Sequence, residues 1–392
     1  MQDFVYYAPT KVIFGKGAGE KTGEELKKLG ASRVLVVYGG ESAVRSGLID
    51  RVRASLEQAG LSCSLFGGAK PNPTLKHVEE GIAKAVDEKS DFILAVGGGS
   101  TIDTAKGIAH GAANAGTPLW DLWTTKVPLT KSLPVGAVLT IAAAGSEMSD
   151  SAVLTNEALN AKLGINTEFN RCRIAFMDPE LLFTVPKYHL AAGITDIMMH
   201  TMERYFIRDI QCTLTDTIAE GLLKTVMENG RRIMADPTDY DAMAEVMWCS
   251  TLSHNGLTEC GRGKDFSVHK LGMPFSALYD HTHGATLSAV WGSWARYQMD
   301  AAQERFARYA RMVLDIRESD DTAAAEAGIR ASEEYWKSIG MPVRIPELGE
   351  VATDDEALMK MAMMATKNDT VKLSRLKPLG AKEVAEIYRM AC

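Results

Sequence analysis

The chain has 392 residues and a net charge of −7, with 46% hydrophobic and 24% charged residues. That is the balance of a well-buried globular protein, and its length predicts two domains. No block of Lys and Arg is present to displace counterions from phosphates, which argues against a nucleic-acid partner.

The first residues lack the basic cluster and apolar run of a signal peptide, and no stretch reaches the length of a membrane span. A cytoplasmic location is the expectation. The six cysteines, Cys63, Cys172, Cys212, Cys249, Cys260 and Cys392, form no CxxC pair, so they read as reduced and structural.

In chain order, Phe4 to Phe14 reads as a first strand, available to pair across a two-fold axis. Arg33 to Tyr38 is β-branched and apolar and reads as a buried strand ending at Gly39-Gly40. Leu48 to Ala59 has helical apolar spacing. Phe92 to Val96 is a second buried strand, closed by Gly97-Gly98-Gly99-Ser100 and followed by helical residues Thr101 to Ala113. Strand, glycine turn and helix, repeated, predict a parallel sheet with helices on both faces.

After about Val185 the texture changes to long segments rich in alanine, methionine and leucine, such as Asp216 to Ala235 and Ala242 to Leu257. These predict a helical second domain, with the boundary in Pro179 to Pro186. The expected division is residues 1–185, an α/β dinucleotide-binding domain, and residues 186–392, an all-helical domain. Glu318 to Asp321 reads as a solvated acidic loop.

The turn Gly97 to Ser100 follows a strand and opens a helix. Amides freed there by glycine attract an anionic phosphate, and the helix dipole adds to the attraction. A dinucleotide pyrophosphate fits, although the residues match neither GxGxxG nor a Walker A loop. At the end of the earlier strand, Tyr38-Gly39-Gly40-Glu41-Ser42 occupies the place of adenine-ribose recognition, and Gly39, Gly40 and Ser42 are read as cofactor contacts. A carboxylate directly at that strand end holds a ribose 2′-hydroxyl and repels a 2′-phosphate. Gly39 stands there instead, with Glu41 two residues on, which favours NADP(H) over NAD(H).

Asp196 and His200 share one face of a helix by their i, i+4 spacing, flanked by Ile194, Ile197, Met198 and Met199. A buried carboxylate without a partner is costly, so a cation is a reason for it to be there. Downstream, His269 and either His281 or His283 supply further imidazoles, on a segment expected to break at Pro274 and turn near Asp280. One oxygen and three nitrogens suit zinc or iron(II) and not the oxygen-rich shells of calcium or magnesium. His77, His110 and His189 carry no such pattern and read as structural.

In order and spacing, Phe14-Gly-Lys-Gly17, Pro71-Asn-Pro-Thr74, the stretch Gly97 to Lys106, Gly145-Ser-Glu147, Gly193 to Tyr205 and His283-Gly284 resemble the iron-dependent alcohol dehydrogenase family. The resemblance covers nearly the whole chain and implies the dehydroquinate synthase-like fold. The turn at Gly39 and the segment around Asn255-Gly256 look most like its butanol dehydrogenase and broad aldehyde reductase branch. It implies metal ligands at Asp196, His200, His269 and His283, iron(II) or zinc as the ion, and pyrophosphate contacts at Gly98, Gly99 and Ser100. Asp103 matches a residue near the nicotinamide, while Asn72, Thr140, Ser149 and Lys162 match further cofactor contacts. A small alcohol or aldehyde substrate, hydride transfer in a cleft between the domains, and a homodimer are likewise implied.

The chain departs from the family at two informative places. The family's second histidine, four residues after His269, is Met273 here, which leaves His281 as the proposed proton relay. Thr140-Ile-Ala-Ala-Ala144 replaces hydroxyl side chains on the nicotinamide side. Other readings are a polyol or polyol-phosphate dehydrogenase or a dehydroquinate synthase-like enzyme on the same fold, for which Arg262, Lys264 and Lys270 are the basic candidates. A non-redox metal hydrolase and a non-catalytic nucleotide-binding protein are the remaining ones.

Overall fold

The computed structural model describes residues 1–159, 161–208 and 210–392; the side chains of Glu41 and Ser42, and with them the expected Ser42 contact, lie outside the described residues. The chain divides into two compact units, Tyr7–Thr184, and Val185–Cys392 together with Met1–Tyr6.

The first unit contains strands β1 (Lys11–Phe14), β2 (Arg33–Tyr38), β3 (Ser62–Phe66), β4 (Phe92–Gly97), β5 (Val135–Leu139), β6 (Ser151–Asn156), β7 (Ala161–Asn166) and β8 (Ile174–Met177). Its helices are α1 (Thr22–Lys28), α2 (Glu41–Arg45), α3 (Leu48–Gln58), α4 (Leu75–Asp87), α5 (Gly99–Ala113) and α6 (Leu119–Trp123). One parallel sheet has the order β1-β8-β5-β4-β2-β3, and β6 pairs with β7 antiparallel. Val34 to Val37 and all of β4 are buried, as a sheet covered on both faces demands. Each such side chain contributes roughly 1.5–3 kcal/mol relative to exposure.

From β2 the chain steps to β3 on one side, then crosses back to place β4 on the other. The carboxyl ends of β2 and β4 therefore frame a topological switch point, where open α/β sheets bind ligands. Both glycine turns lie there.

The expected strand from Phe4 to Phe14 is corrected: only Lys11–Phe14 is strand, and it pairs in parallel with β8 of the same sheet. Pro9 carries no N–H for a ladder. Before it, Gln2 N donates to Gly261 O at 2.8 Å and Asn255 Nδ2 to the Tyr6 hydroxyl at 3.3 Å, which tie Met1–Tyr6 to the second unit.

The second unit is built from α7 (Lys187–Tyr205), α8 (Thr213–Ala235), α9 (Tyr240–His254), α10 (Ser267–Tyr279), α11 (His283–Gln298), α12 (Gln303–Leu314), α13 (Asp321–Ser338), α14 (Asp355–Ala365) and α15 (Ala381–Ala391). Asp239, Asp320 and Asp354 cap α9, α13 and α14 through their side chains, each worth about 1 kcal/mol. The acidic run from Glu318 is thus half loop and half helix start, and Asp321 pairs with Arg311 at 2.7 Å. The break expected at Pro274 does not occur: α10 continues through it. The missing N–H forfeits one backbone bond, and burial of Val268, Leu271 and Phe275 holds the helix together around it. No helix among the described residues is long and apolar enough to cross a membrane.

Candidate functional site

Every residue of α7 from Leu190 to Tyr205 is buried, so its polar members need internal partners. Asp196, His200 and Glu203 follow at i, i+4 and i+7 and form one stripe. His269 enters from the first turn of α10 and His283 opens α11. Gly284 permits that approach, because a Cβ there would lie 2.0 Å from the carbonyl oxygen of Ala192 on α7.

Asp196 Oδ1 lies 3.5 Å from His200 Nε2, 3.5 Å from His269 Nε2 and 3.8 Å from His283 Nε2. Asp196 Oδ1 and His269 Nε2 are buried without a hydrogen-bond partner. Tetrahedral bonds of about 2.1 Å separate donor atoms by roughly 3.4 Å, which is the spacing seen around this oxygen. An acceptor facing three imidazoles, with two of the atoms otherwise unsatisfied, fits a divalent transition metal. Asp196, His200 and His269 are buried, while the His283 side chain is 43% exposed and marks the accessible side.

The imidazoles are themselves held. Glu203 Oε2 bonds His269 Nδ1, and Glu203 Oε1 accepts from the His269 backbone N–H at 3.2 Å. That is the carboxylate–histidine arrangement that fixes ring orientation at metal sites. His254, the last residue of α9, places Nδ1 2.9 Å from His200 Nδ1. Arg204 Nη1 donates to the His200 carbonyl at 2.6 Å, and its Nε pairs with Glu259 at 2.9 Å. Sequence reasoning gave no role to Glu203, which lies inside the matched segment Gly193 to Tyr205, and did not single out His254. The i+7 spacing of Glu203 was a usable signal; nothing local marks His254.

Electrostatics agree with this wiring. Burial, with His254 and His269 adjacent, holds His200 well below the ordinary histidine value, which keeps its ring neutral. Burial also opposes charge on His269, but Glu203 and Asp196 outweigh it and lift the ring to about 9. Positive charge is favoured between those carboxylates, whether carried by a proton or by a metal.

In the first unit, Gly98 caps α5 without a side-chain hydrogen bond to its first-turn amides. A Cβ on Gly98 would lie 2.3 Å from Ile141 Cγ2, and one on Gly39 would lie 3.3 Å from Thr101 Oγ1. The two glycine turns are therefore neighbours. Thr140 N donates to Gly97 O at 3.2 Å, joining the β5 end to them.

Asp103 is partly buried and accepts from Ser146 Oγ at 2.9 Å and Val153 N at 3.0 Å, with Lys106 Nζ 4.0 Å away. Burial raises its carboxyl, against the opposing pull of Lys106. Asn72 stands in a left-handed conformation and accepts from Lys162 Nζ at 2.7 Å, while burial lowers that ammonium. Ser149 Oγ donates to Ser151 O at 3.2 Å. His281 stacks on Tyr279 and its carbonyl accepts from Ser276 Oγ; its Nε2 has no hydrogen-bond partner.

Two of the three basic candidates for an anionic substrate are engaged by carboxylates, while Lys270 Nζ lies 3.9 Å from Met273 Sδ. Arg262 is buried against Asp216 at 2.6 Å, and Lys264 lies 3.6 Å from Glu259. Burial pushes the Cys172 and Cys249 thiols up to about 12, as expected of inert structural cysteines.

A nucleotide-type switch point in one unit and a carboxylate ringed by imidazoles in the other define a metal-containing dehydrogenase class. Residues 9–179 match the family model described as iron-containing alcohol dehydrogenase, and residues 190–392 match the C-terminal model of the Fe-containing alcohol dehydrogenase family. The chain belongs to this family, in its butanol dehydrogenase and aldehyde reductase branch, and is an alcohol dehydrogenase-type oxidoreductase. It is 38% identical to NADH-dependent butanol dehydrogenase A of Clostridium acetobutylicum over 391 residues, 99% of each chain. It is 32% identical to an NADPH-dependent aldehyde reductase of Escherichia coli, over 92% of each. The crystal structure of NADH-dependent butanol dehydrogenase A from Thermotoga maritima superposes with a TM-score of 0.94 at 34% identity, covering 100% of this chain and 99% of that one.

Proposed function

We propose that the chain interconverts small primary alcohols and aldehydes with a nicotinamide dinucleotide, using a divalent metal held by Asp196, His200, His269 and His283. The observation that carries this reading is the unsatisfied Asp196 Oδ1 facing three imidazole nitrogens. Iron(II) or zinc held there supplies Lewis acidity toward an alcohol or carbonyl oxygen.

The chain's own groups do the rest. Amides at Gly98, Gly99 and Ser100 hold the pyrophosphate, and Gly39 and Gly40 admit the adenine ribose. Asp103 fixes α5 to β6 through Val153 N, close to where the nicotinamide is assigned; Asn72, Thr140, Ser149 and Lys162 complete the cofactor contacts. Asp196 and Glu203 set the charge and orientation of the imidazoles. The polyol-phosphate and dehydroquinate synthase-like readings are weakened by the internal pairing of Arg262 and Lys264 and rest on Lys270.

Loss of nicotinamide absorbance with butanal and other short-chain aldehydes, with and without added iron or zinc, tests the reading. Metal-dependent consumption is expected, and none across the panel contradicts it. The strand end at Gly39 assigns the lower KM to NADPH, although relatives of both cofactor types are known; an equal or lower KM for NADH removes that assignment. We assign the proton relay to His281, so His281→Ala should alter the pH–rate profile, and an unchanged profile excludes the role. A cytoplasmic homodimer completes the proposal, and equilibrium sedimentation at the mass of one chain would refute the dimer.

A further inference from the structure

Lys106 is a buried cation outside both the metal set and the assigned cofactor contacts. It follows Gly99 and Asp103 along α5 at helical spacing, so the three share the helix face that begins at the phosphate turn. The residue is 0% exposed. Its ammonium has three N–H groups, and all are spent on one segment: Ser146 O at 2.8 Å, Ser146 Oγ at 3.1 Å and Ser151 O at 2.7 Å. Ser146 Oγ in turn donates to Asp103 Oδ1 at 2.9 Å, which joins both α5 side chains to the same serine.

The segment they hold is the connection from β5 to β6, residues 140–150, which forms neither helix nor strand. Gly145, Ser146, Glu147, Met148 and Ser149 are nonetheless buried. Buried irregular backbone must find its hydrogen bonds inside the protein, and the run Ile141-Ala-Ala-Ala144 offers none from its own side chains. The same connection lies against the phosphate turn. Thr140 N donates to Gly97 O at 3.2 Å, a Cβ on Gly98 would lie 2.3 Å from Ile141 Cγ2, and one on Gly99 would lie 3.9 Å from Ser146 Cβ. A methionine or leucine would fill the Lys106 space without the cost of burying a charge. What the ammonium adds is direction, because it fixes the oxygens of one connection at set points.

Resting on the dinucleotide reading of the glycine turn, we infer that Lys106 is a positioning residue for cofactor binding. It acts through the backbone and not on the cofactor: its three N–H groups pin Ser146 and Ser151, and so hold the connection that carries the assigned contacts Thr140 and Ser149 beside the Gly98–Ser100 amides. Without the ammonium, buried oxygens of that connection lose their donor, and ordering the segment becomes a cost of nucleotide binding. Metal binding, which uses side chains of the other unit, is left as it was.

The test is the affinity of the intact protein for NADH and NADPH, followed by nucleotide fluorescence well below the unfolding midpoint of each variant, beside its metal content. Lys106→Met removes the donors in a similar volume, and Lys106→Gln keeps two N–H groups on a shorter chain. The methionine variant is expected to bind both nucleotides roughly tenfold more weakly, the effect of losing one hydrogen bond to a charged group, with the glutamine variant recovering part of the loss. Its KM for nucleotide should rise by more than kcat falls, with bound metal unchanged. Wild-type affinity in the folded methionine variant, whatever its Tm, overturns the inference and leaves a stability role alone. So does a glutamine variant as weak as the methionine one. If the methionine variant does not fold, Ser146→Ala decides, since it removes the hydroxyl between Lys106 and Asp103: weaker nucleotide binding with unchanged metal content supports the inference, and wild-type affinity refutes it. Failure of the wild-type protein to bind either nucleotide would defeat the dinucleotide reading itself, a result separate from an indifferent Lys106.

Discussion

Asp196→Ala is expected to leave the protein folded, empty it of metal and lower kcat by roughly 10³-fold, which is about 4 kcal/mol of transition-state stabilisation. Asp196 Oδ1 is the point toward which His200, His269 and His283 converge, at 3.5, 3.5 and 3.8 Å. Without that charge three imidazoles remain around a smaller side chain, with the Glu203 carboxylate one residue removed behind His269. Removing a buried carboxylate that makes no hydrogen bond through this atom also relieves desolvation, so the stability loss should be small beside the loss of activity. Elemental analysis alongside steady-state rates checks both halves. An alanine variant that keeps its metal and its rate would show that the four residues are not the centre.

The second large effect is on stability. Lys106 is fully buried in α5 and donates to Ser146 O at 2.8 Å, Ser146 Oγ at 3.1 Å and Ser151 O at 2.7 Å. The carboxylate of Asp103 is 4.0 Å away and already engaged by Ser146 and Val153. Lys106→Met keeps most of the volume but leaves a partly buried carboxylate without its cation and buried acceptors without their donor. Breaking such a pair costs about 3–5 kcal/mol, or a fall in Tm of roughly 10 °C for a unit of this size. Calorimetry of the purified variant measures it. A Tm within about 2 °C of wild type would mean that the network around Lys106 carries little of the stability of the sheet unit.

Local patterns in the sequence were enough for the parts of the fold that local physics decides. Continuous apolar runs marked β2 and β4 because both faces of a parallel sheet are covered, and the helical spacing from Leu48 and the long segment from Asp216 marked α3 and α8. The hairpin β6–β7 escaped notice: β7 alternates around polar and partly exposed residues, and only its partner makes it a strand. Pro274 misled, since a proline is a local stop signal that tertiary burial overrides. The stretch before Pro9 was read as part of a strand, yet its hydrogen bonds reach Gly261 and Asn255, a relation with no sequence signature.

The candidate site divides in the same way. Asp196 and His200 were readable from helical spacing, and the glycine turn from its place between strand and helix. The choice of His283 over His281 rested on the resemblance, and the structure brings His283 Nε2 to 3.8 Å from Asp196. Glu203 meets His269, and His254 packs on His200, only once α7, α9 and α10 are together, so neither contact is visible in the sequence.

The most direct measurement is a metal titration of activity. Protein stripped with a chelator and returned to buffer should reduce butanal with NADPH or NADH only as iron(II) or zinc is added, saturating at one equivalent per chain. Full activity in the stripped protein, unaffected by added metal, would contradict the account.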